Sequence, residues 1–320
     1  SFVNAIIGLH ATGGSTNHTI HLPAMAAAAG IKLTWEDFSE LSNIVPLLSR
    51  IYPNGNADVN QFHAAGGLSF VIRELLENGL LDGSAASVWG ETIKDYAAEP
   101  ILKGSELEWR PAPQKSSDLS ILRPVNKPHQ LTGGLKILSG NLGKAVMKIS
   151  AVAENNRAIT APAQVFSNEA DVKKAYNNGE LNKNVVAVVL AQGPQANGMP
   201  ELHSLTPILA NLQDKGFKVA LVTDGRMSGA SGKIPAAIHV FPEAVNGGNI
   251  GRIQNGDIIT IDANSGKLEV KEEISKRTSF SISSKANPNS FGRSLFAQMR
   301  GQSADAEAGG GISINLGQNK

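Results

Sequence analysis

Two stretches of this sequence put residues that could do chemistry close together. The first is Gln192-Gly193-Pro194-Gln195-Ala196-Asn197-Gly198-Met199-Pro200-Glu201-Leu202-His203, directly after the apolar run Val185–Leu190. The second is Thr223-Asp224-Gly225-Arg226-Met227-Ser228-Gly229-Ala230-Ser231-Gly232, directly after Phe217–Val222. Three glycines between Gly225 and Gly232 let backbone approach a ligand and let several amide N–H groups converge on an anion. Two loops of this kind at strand ends are where an α/β arrangement places its ligand. Taken singly, either loop reads equally well as a tight turn with capping serines.

Pro200 suits a first helical turn and Glu201 the positive helix end, so the spacing predicts a helix over Pro200–Asp214. Glu201 would then either complement the helix dipole or serve a site. Ser228 is a candidate base only if something stabilises its alkoxide. A helix N-terminus supplies about 2 kcal/mol, which moves a pKa by about 1.5. A bound metal does far more, lowering the pKa of water from about 16 to about 7. Serine as a base therefore needs a cation nearby. Glu201 could give Mg²⁺ one of its roughly six oxygen ligands, but the sequence offers no matching carboxylate cluster.

A third unit is Ala11-Thr12-Gly13-Gly14-Ser15-Thr16-Asn17-His18-Thr19-Ile20-His21. Ser15 or Thr16 could cap the helix that follows, and the free amides there could hold an anion. His18 and His21 share a helix face, as structural or substrate-contact residues or as zinc ligands, but no HExxH pattern or third ligand accompanies them. Leu138-Ser139-Gly140-Asn141-Leu142-Gly143 reads as a turn. His63, His129 and His239 have no evident partner and read as structural. The spacing Gly225–Lys233 departs from GxxxxGK[ST], against a nucleotide loop.

The elements that must position these residues change character along the chain. Helical periodicity marks Ile20–Ala28, Leu41–Ile51 and Leu68–Leu76, with Pro53-Asn54-Gly55-Asn56 as a turn cluster. The pattern weakens over Asp82–Ser120, and Trp109–Ser117 has linker composition, which puts a domain boundary there. Beyond it, strands are predicted at Leu135–Leu138, Ala145–Val152, Val185–Leu190 and Phe217–Val222. Asp257–Lys271 reads as a hairpin around Asn264-Ser265-Gly266, and Ile312–Leu316 as a late strand after the low-complexity Ser303–Gly311. The fold expected is α/β: residues 1–115 as part of an α/β domain, then 116–320 as a β-rich, barrel-like domain with flanking helices.

Composition narrows the function classes. The formal net charge of +1 over 320 residues gives no basic field for nucleic acid or an anionic membrane. No apolar run reaches a membrane span, so the cytoplasm is the expected compartment. With no cysteine, the chain offers no disulfide, thiolate nucleophile or cysteine-ligated cluster. The chain opens at Ser1, without a methionine and directly at the apolar stretch Phe2–Leu9, so a truncated chain is expected.

Together the motifs resemble the dihydroxy-acid and phosphogluconate dehydratase family across nearly the whole chain. The resemblance rests on ATGGSTNHTIHL (Ala11–Leu22), YPNGNADVNQFHAAGG (Tyr52–Gly67), LSGNLGKAVMK (Leu138–Lys148), QGPQANGMPELH (Gln192–His203) and VTDGRMSGASGKIPAAIHV (Val222–Val240). The second, with Gly232-Lys233-Ile234-Pro235, is similar to the phosphogluconate branch. That branch implies a hydro-lyase converting 6-phospho-D-gluconate to 2-dehydro-3-deoxy-6-phospho-D-gluconate in the Entner–Doudoroff pathway. It implies Glu201 as a Mg²⁺ ligand, Ser228 as the base at carbon 2, and an iron–sulfur cluster, of the 4Fe-4S kind, as Lewis acid on the leaving hydroxyl. Ser15, Thr16, Asn17, Arg226, Ser231 and Lys233 are the implied substrate contacts; Lys233, with Arg226, is the expected cationic partner of the phosphate. A swivelling barrel-type second domain and a homodimer are implied as well. The family's cluster cysteines and remaining magnesium ligands lie upstream of the matching region, so this chain is expected to be inactive alone. A dehydratase of a nonphosphorylated sugar acid or a branched-chain dihydroxy acid stays open, as does a non-catalytic anion-binding module.

Overall fold

The computed structural model describes residues 1–227, 232–280 and 291–312. Its chain divides into two compact units, Ser1–Ser15 with Asp37–Leu135, and Thr16–Glu36 with Lys136–Lys320.

The first helices are α1 (Phe2–Thr12), α2 (His18–Ala28), α3 (Trp35–Ile44), α4 (Val59–Ala65) and α5 (Gly67–Glu77). All but α2 contribute to the first unit, α3 from Asp37 onward. A capping box between Asp58 and Gln61 starts α4. The core of this unit gathers Ile7 and Ala11 of α1 with Leu48, Phe62, Phe70, Val71, Leu75 and Leu122. The helix expected over Leu41–Ile51 stops at Ile44, because Pro46 disfavours helical backbone at the residue before it. Leu47, Ser49 and Ile51 instead run extended and form single bridges to Gln130, Leu122 and Ala57. The weakly patterned stretch after Asp82 holds a hairpin that the sequence reading missed, β1 (Ala98–Lys103) with β2 (Glu106–Pro111). Pro100 and the charges at Glu99, Lys103, Glu106 and Glu108 hide its alternation. Trp109, read as linker, stacks on Trp89 with ring centroids 3.6 Å apart.

The second unit is a closed barrel of β3 (Leu135–Gly140), β4 (Gly143–Lys148), β5 (Ala158–Phe166), β6 (Val185–Val189), β7 (Val219–Thr223), β8 (Ala236–Phe241), β9 (Ile258–Asp262) and β10 (Lys267–Val270). The order round the barrel is β10-β3-β4-β8-β7-β6-β5-β9, and closure leaves no open edge. Strands β5, β6, β7 and β8 pair in parallel. Every residue of β6 and β7 is buried, as expected of parallel strands covered on both faces. Inside lie Leu138, Met147, Ile159, Val186, Val188, Ala220, Val222 and Ile261. Helices α6 (Glu169–Asn177), α7 (Pro194–Asn197) and α8 (Leu205–Asp214) lie between these strands in sequence, and α9 (Phe291–Leu295) and α10 (Ala297–Gly301) follow. The predicted hairpin is β9 and β10, turning at Gly266 with φ 70°. Of the late strand expected at Ile312–Leu316, Ile312 makes a single bridge to Ser303, and residues 313–316 lie outside the described residues.

Helix α2 belongs to this second unit although it precedes most of the first. Pro23 sits in its interior and cannot donate to the carbonyl of Thr19. The indole Nε1 of Trp35 donates to that carbonyl instead, at 2.8 Å. Among the described residues no helix is long and apolar enough to cross a membrane.

Candidate active site

The parallel strands β5 to β8 all end on the same side of the barrel, and the buried polar groups of the second unit concentrate there. Asp224, fully buried after β7, accepts from the backbone N–H of Gln192 at 2.8 Å, Ala191 at 3.2 Å and Ala244 at 3.0 Å. One carboxylate thus fastens the segments that follow β6 and β8 to its own. Burial pushes its carboxyl upward against the pull of those amides. Glu243 accepts from the N–H groups of Gln195 at 2.9 Å and Ala196 at 3.1 Å, and burial pushes its carboxyl up to about 7. The Thr223 hydroxyl donates to the Val189 carbonyl and accepts from the Gly225 amide. Gly225 must be glycine, because a Cβ there would fall 2.6 Å from Gln192 Cβ. Three non-glycine residues with left-handed backbone, Ala191, Met199 and His239, belong to the same group of loops and strand end. Each costs on the order of 1 kcal/mol, which the surrounding network offsets.

Above this framework Glu201, Arg226 and Asn17 meet. Glu201 and Arg226 form a backbone bridge, and the Leu202 amide donates to the Arg226 carbonyl at 2.9 Å. Arg226 Nη1 donates to Glu201 Oε1 at 2.8 Å, and Arg226 Nε to the Met199 carbonyl at 2.7 Å. Asn17 Nδ2 donates to the same Glu201 oxygen at 3.0 Å. The helix expected over Pro200–Asp214 begins at Leu205, so Glu201 lies in extended chain and complements no helix end. The first-turn proline is Pro194, at the start of α7, which leaves Glu201 to pair across to Arg226.

Neither Ser15 nor Thr16 caps α2. Its N-cap is Asn17, without a side-chain cap bond. Thr16 is buried, with its carbonyl accepting from the Thr19 hydroxyl at 2.9 Å. Ser15 belongs to the first unit. Lys233 is exposed. Ser228 and Ser231 lie outside the described residues. Asn17, Glu201 and Arg226 are therefore the sequence candidates that the fold brings together.

His239, read from sequence as lacking a partner, has one. Its Nδ1 lies 3.2 Å from Thr19 Oγ1. Since that hydroxyl already donates to Thr16, the ring must donate from Nδ1, leaving Nε2 as a buried lone pair without a partner among the described residues. Burial, with the nearby charges of Arg226 and His21, pushes the imidazole down to about 3, so it stays neutral. No local pattern signals this contact, which spans 220 residues of sequence. Asp224 and Glu243 escaped notice for a related reason: their partners are backbone amides, which carry no residue signature.

The residues present fit the implied metal groups only in part. Glu201 has one oxygen engaged and a partly exposed side chain, suited to a single ligand position. Among the described residues no three His, Asp or Glu side chains gather into a metal site, so His18 and His21 acquire no third ligand. The chain has no cysteine to hold a cluster.

Residues 120–310 match the family described as dihydroxy-acid/6-phosphogluconate dehydratase C-terminal, and residues 1–96 its N-terminal counterpart. The phosphogluconate dehydratase of Rhizobium meliloti is 55% identical over 316 residues, covering 98% of this chain and 52% of that protein. The phosphogluconate dehydratase of Escherichia coli K12 is 50% identical over 310 residues, covering 96% and 51%. A dihydroxy-acid dehydratase of Sulfurisphaera tokodaii is 39% identical over 283 residues, covering 87% and 48%. The chain spans about half the length of the relatives it matches.

Proposed function

We propose, starting from the fact that this chain belongs to the dihydroxy-acid/6-phosphogluconate dehydratase family, that it forms part of a hydro-lyase acting on 6-phospho-D-gluconate. The observation that carries this reading is the convergence of Asn17, Glu201 and Arg226 from three separate motifs at one end of the barrel. The higher identity to proteins named phosphogluconate dehydratase than to one named dihydroxy-acid dehydratase supports the phosphorylated substrate.

In the proposed reaction the proton on carbon 2 and the hydroxyl on carbon 3 leave as water. The resulting enol becomes the ketone of 2-dehydro-3-deoxy-6-phospho-D-gluconate. Ser228, as alkoxide, takes the carbon 2 proton at Oγ. Arg226 and Asn17 orient Glu201, whose open oxygen is its contribution to a Mg²⁺ site. Mg²⁺ and an iron–sulfur cluster would supply Lewis-acid polarisation in the assembled enzyme, with their other ligands outside this chain. Thr16, Ser15, Ser231 and Lys233 remain proposed substrate contacts, and a swivelling second domain, a homodimer and a cytoplasmic location belong to the same reading. Side-by-side turnover of phosphogluconate, gluconate and dihydroxyisovalerate by the assembled enzyme tests it. Phosphogluconate should be preferred, and Ser228→Ala should abolish turnover while circular dichroism stays unchanged. Preference for either other acid, or near-normal activity in Ser228→Ala, would overturn the corresponding assignment.

A further inference from the structure

Beside Arg226 the second unit holds a cavity of about 380 Å³, lined among others by His21, Pro194, Met199, Arg226, Arg300 and Ser303. This is a volume at the small end of ligand sites. No Asp or Glu is among its described lining residues. Arg226 is neutralised by Glu201, but Arg300 has no carboxylate partner among the described residues. The Arg300 side chain donates from Nη2 to the Arg293 carbonyl at 2.8 Å, which holds the guanidinium in place and leaves its other N–H groups uncommitted among the described residues. Arg293 stands close by, and burial together with the charge of Arg300 pushes the Arg293 guanidinium down.

The wall carrying Arg300 is built, not loose. Ser303 bridges to Ile312, and the Ala304 amide donates to the Gly311 carbonyl at 2.7 Å. Gln195 Nε2 of α7 donates to the Ser303 carbonyl at 2.9 Å, tying this wall to the loop that leads to Glu201. A positive group fixed against a cavity with no acid among its described lining residues suits an anion, and guanidinium geometry matches the oxygens of a phosphate.

We propose that this cavity seats the substrate's phosphate group, with Arg300 and His21 donating to its oxygens. The proposal rests on the reading that the substrate is a phosphorylated sugar acid. It moves phosphate recognition away from Lys233, which is exposed and does not line the cavity. A sugar acid lacking the phosphate would leave Arg300 unpaired, so the same residue discriminates between the two substrates.

The test compares Arg300→Gln, Arg300→Lys and Lys233→Ala with the unmodified sequence in the assembled enzyme. The readouts are the KM and kcat for phosphogluconate, the kcat/KM for gluconate, and the Kd for inorganic phosphate by calorimetry. Arg300→Gln should raise KM for phosphogluconate and the phosphate Kd at least tenfold, with kcat and gluconate turnover little changed. Arg300→Lys, which keeps the charge, should fall between. Unchanged KM and phosphate affinity in Arg300→Gln, or the same losses in Lys233→Ala instead, would overturn the assignment while leaving the dehydratase reading intact. If the unmodified enzyme ignores phosphogluconate, the phosphorylated-substrate reading fails. The cavity is then judged on inorganic phosphate alone: binding lost in Arg300→Gln upholds an anion seat, and no binding removes it.

Discussion

Arg226 and Glu201 are joined twice, by a backbone bridge and by a 2.8 Å bond from Nη1 to Oε1. The strand-like bridge fixes the spacing of the two loops, so the side chains meet without either having to search. Both are partly exposed, so the ion pair contributes about 1 kcal/mol or less to stability. Its value lies in aiming the carboxylate.

Glu201→Gln should therefore leave the melting temperature within a few degrees of the parent. In the assembled enzyme it should weaken the dependence of activity on Mg²⁺, shifting the half-saturating concentration upward at least tenfold. A magnesium titration of activity checks this, and an unchanged requirement removes Glu201 from the metal site.

Asp224 offers the opposite case. Its carboxylate satisfies three buried backbone N–H groups from two other segments. Asp224→Ala strands all three, at about 1–3 kcal/mol each. A loss of at least about 3 kcal/mol in urea unfolding is expected, far more than for Glu201→Gln.

The Pro23 and Trp35 pairing predicts a coupled effect. Trp35→Phe removes the indole donor and leaves the Thr19 carbonyl unpaired, costing about 1–3 kcal/mol beyond any change in packing. Pro23→Ala restores a backbone N–H one helical turn away. In a double-mutant cycle the cost of Trp35→Phe should shrink by about 1 kcal/mol in the Pro23→Ala background. Strict additivity would show that the indole is not standing in for the missing amide.

Acid should act unevenly on the two units. His10 and His129 of the first unit are pushed down to about 4, mainly by burial, from 6.5. Between those values the unfolded chain binds protons that the folded chain refuses. Their stabilisation is complete above pH 6.5 and is lost as pH falls toward 4. His239 behaves likewise in the second unit, but Glu243 opposes it. With its carboxyl raised to about 7, Glu243 stabilises fully below about pH 4.5 and loses that contribution as pH rises toward 7. From pH 6.5 to 4.5 the first unit should lose stability with an uptake of nearly two protons, while in the second the two effects offset. Hydrogen exchange across this range should show protection falling first in α1, α4 and α5. Earlier loss in the barrel would contradict the assignment.

What could be read from the sequence was what leaves a local trace. The apolar runs of β6 and β7, the hairpin of β9 and β10, and the two glycine-rich loops all stand out within a few residues. Strand β5 did not, because Pro162 interrupts its alternation of buried Ile159, Ala161 and Ala163. Strand β8 was hidden by His239, a polar residue buried inside an apolar run. In the site, the motif around Glu201 stands out in the sequence but its extended backbone does not, since Pro200 resembles a helix start while the helix begins at Leu205. The Asn17–Glu201 and Thr19–His239 contacts join positions far apart in the chain, where no spacing rule reaches.

The second unit is assembled from chain on both sides of Asp37–Leu135, and this orders events during synthesis. Helix α2 packs against the short turn Ala306–Ala308, and Gly309 comes so close to Ala24 that a Cβ there would collide with its backbone. That surface leaves the ribosome almost 280 residues after Ala28, a delay on the order of tens of seconds at ordinary elongation rates. Throughout that interval the helix that carries Thr19 and follows Asn17 lacks this packing surface, although Trp35 can reach the Thr19 carbonyl early. The side of α2 that faces Ala306–Ala308 and Gly309 is thus completed only late in synthesis.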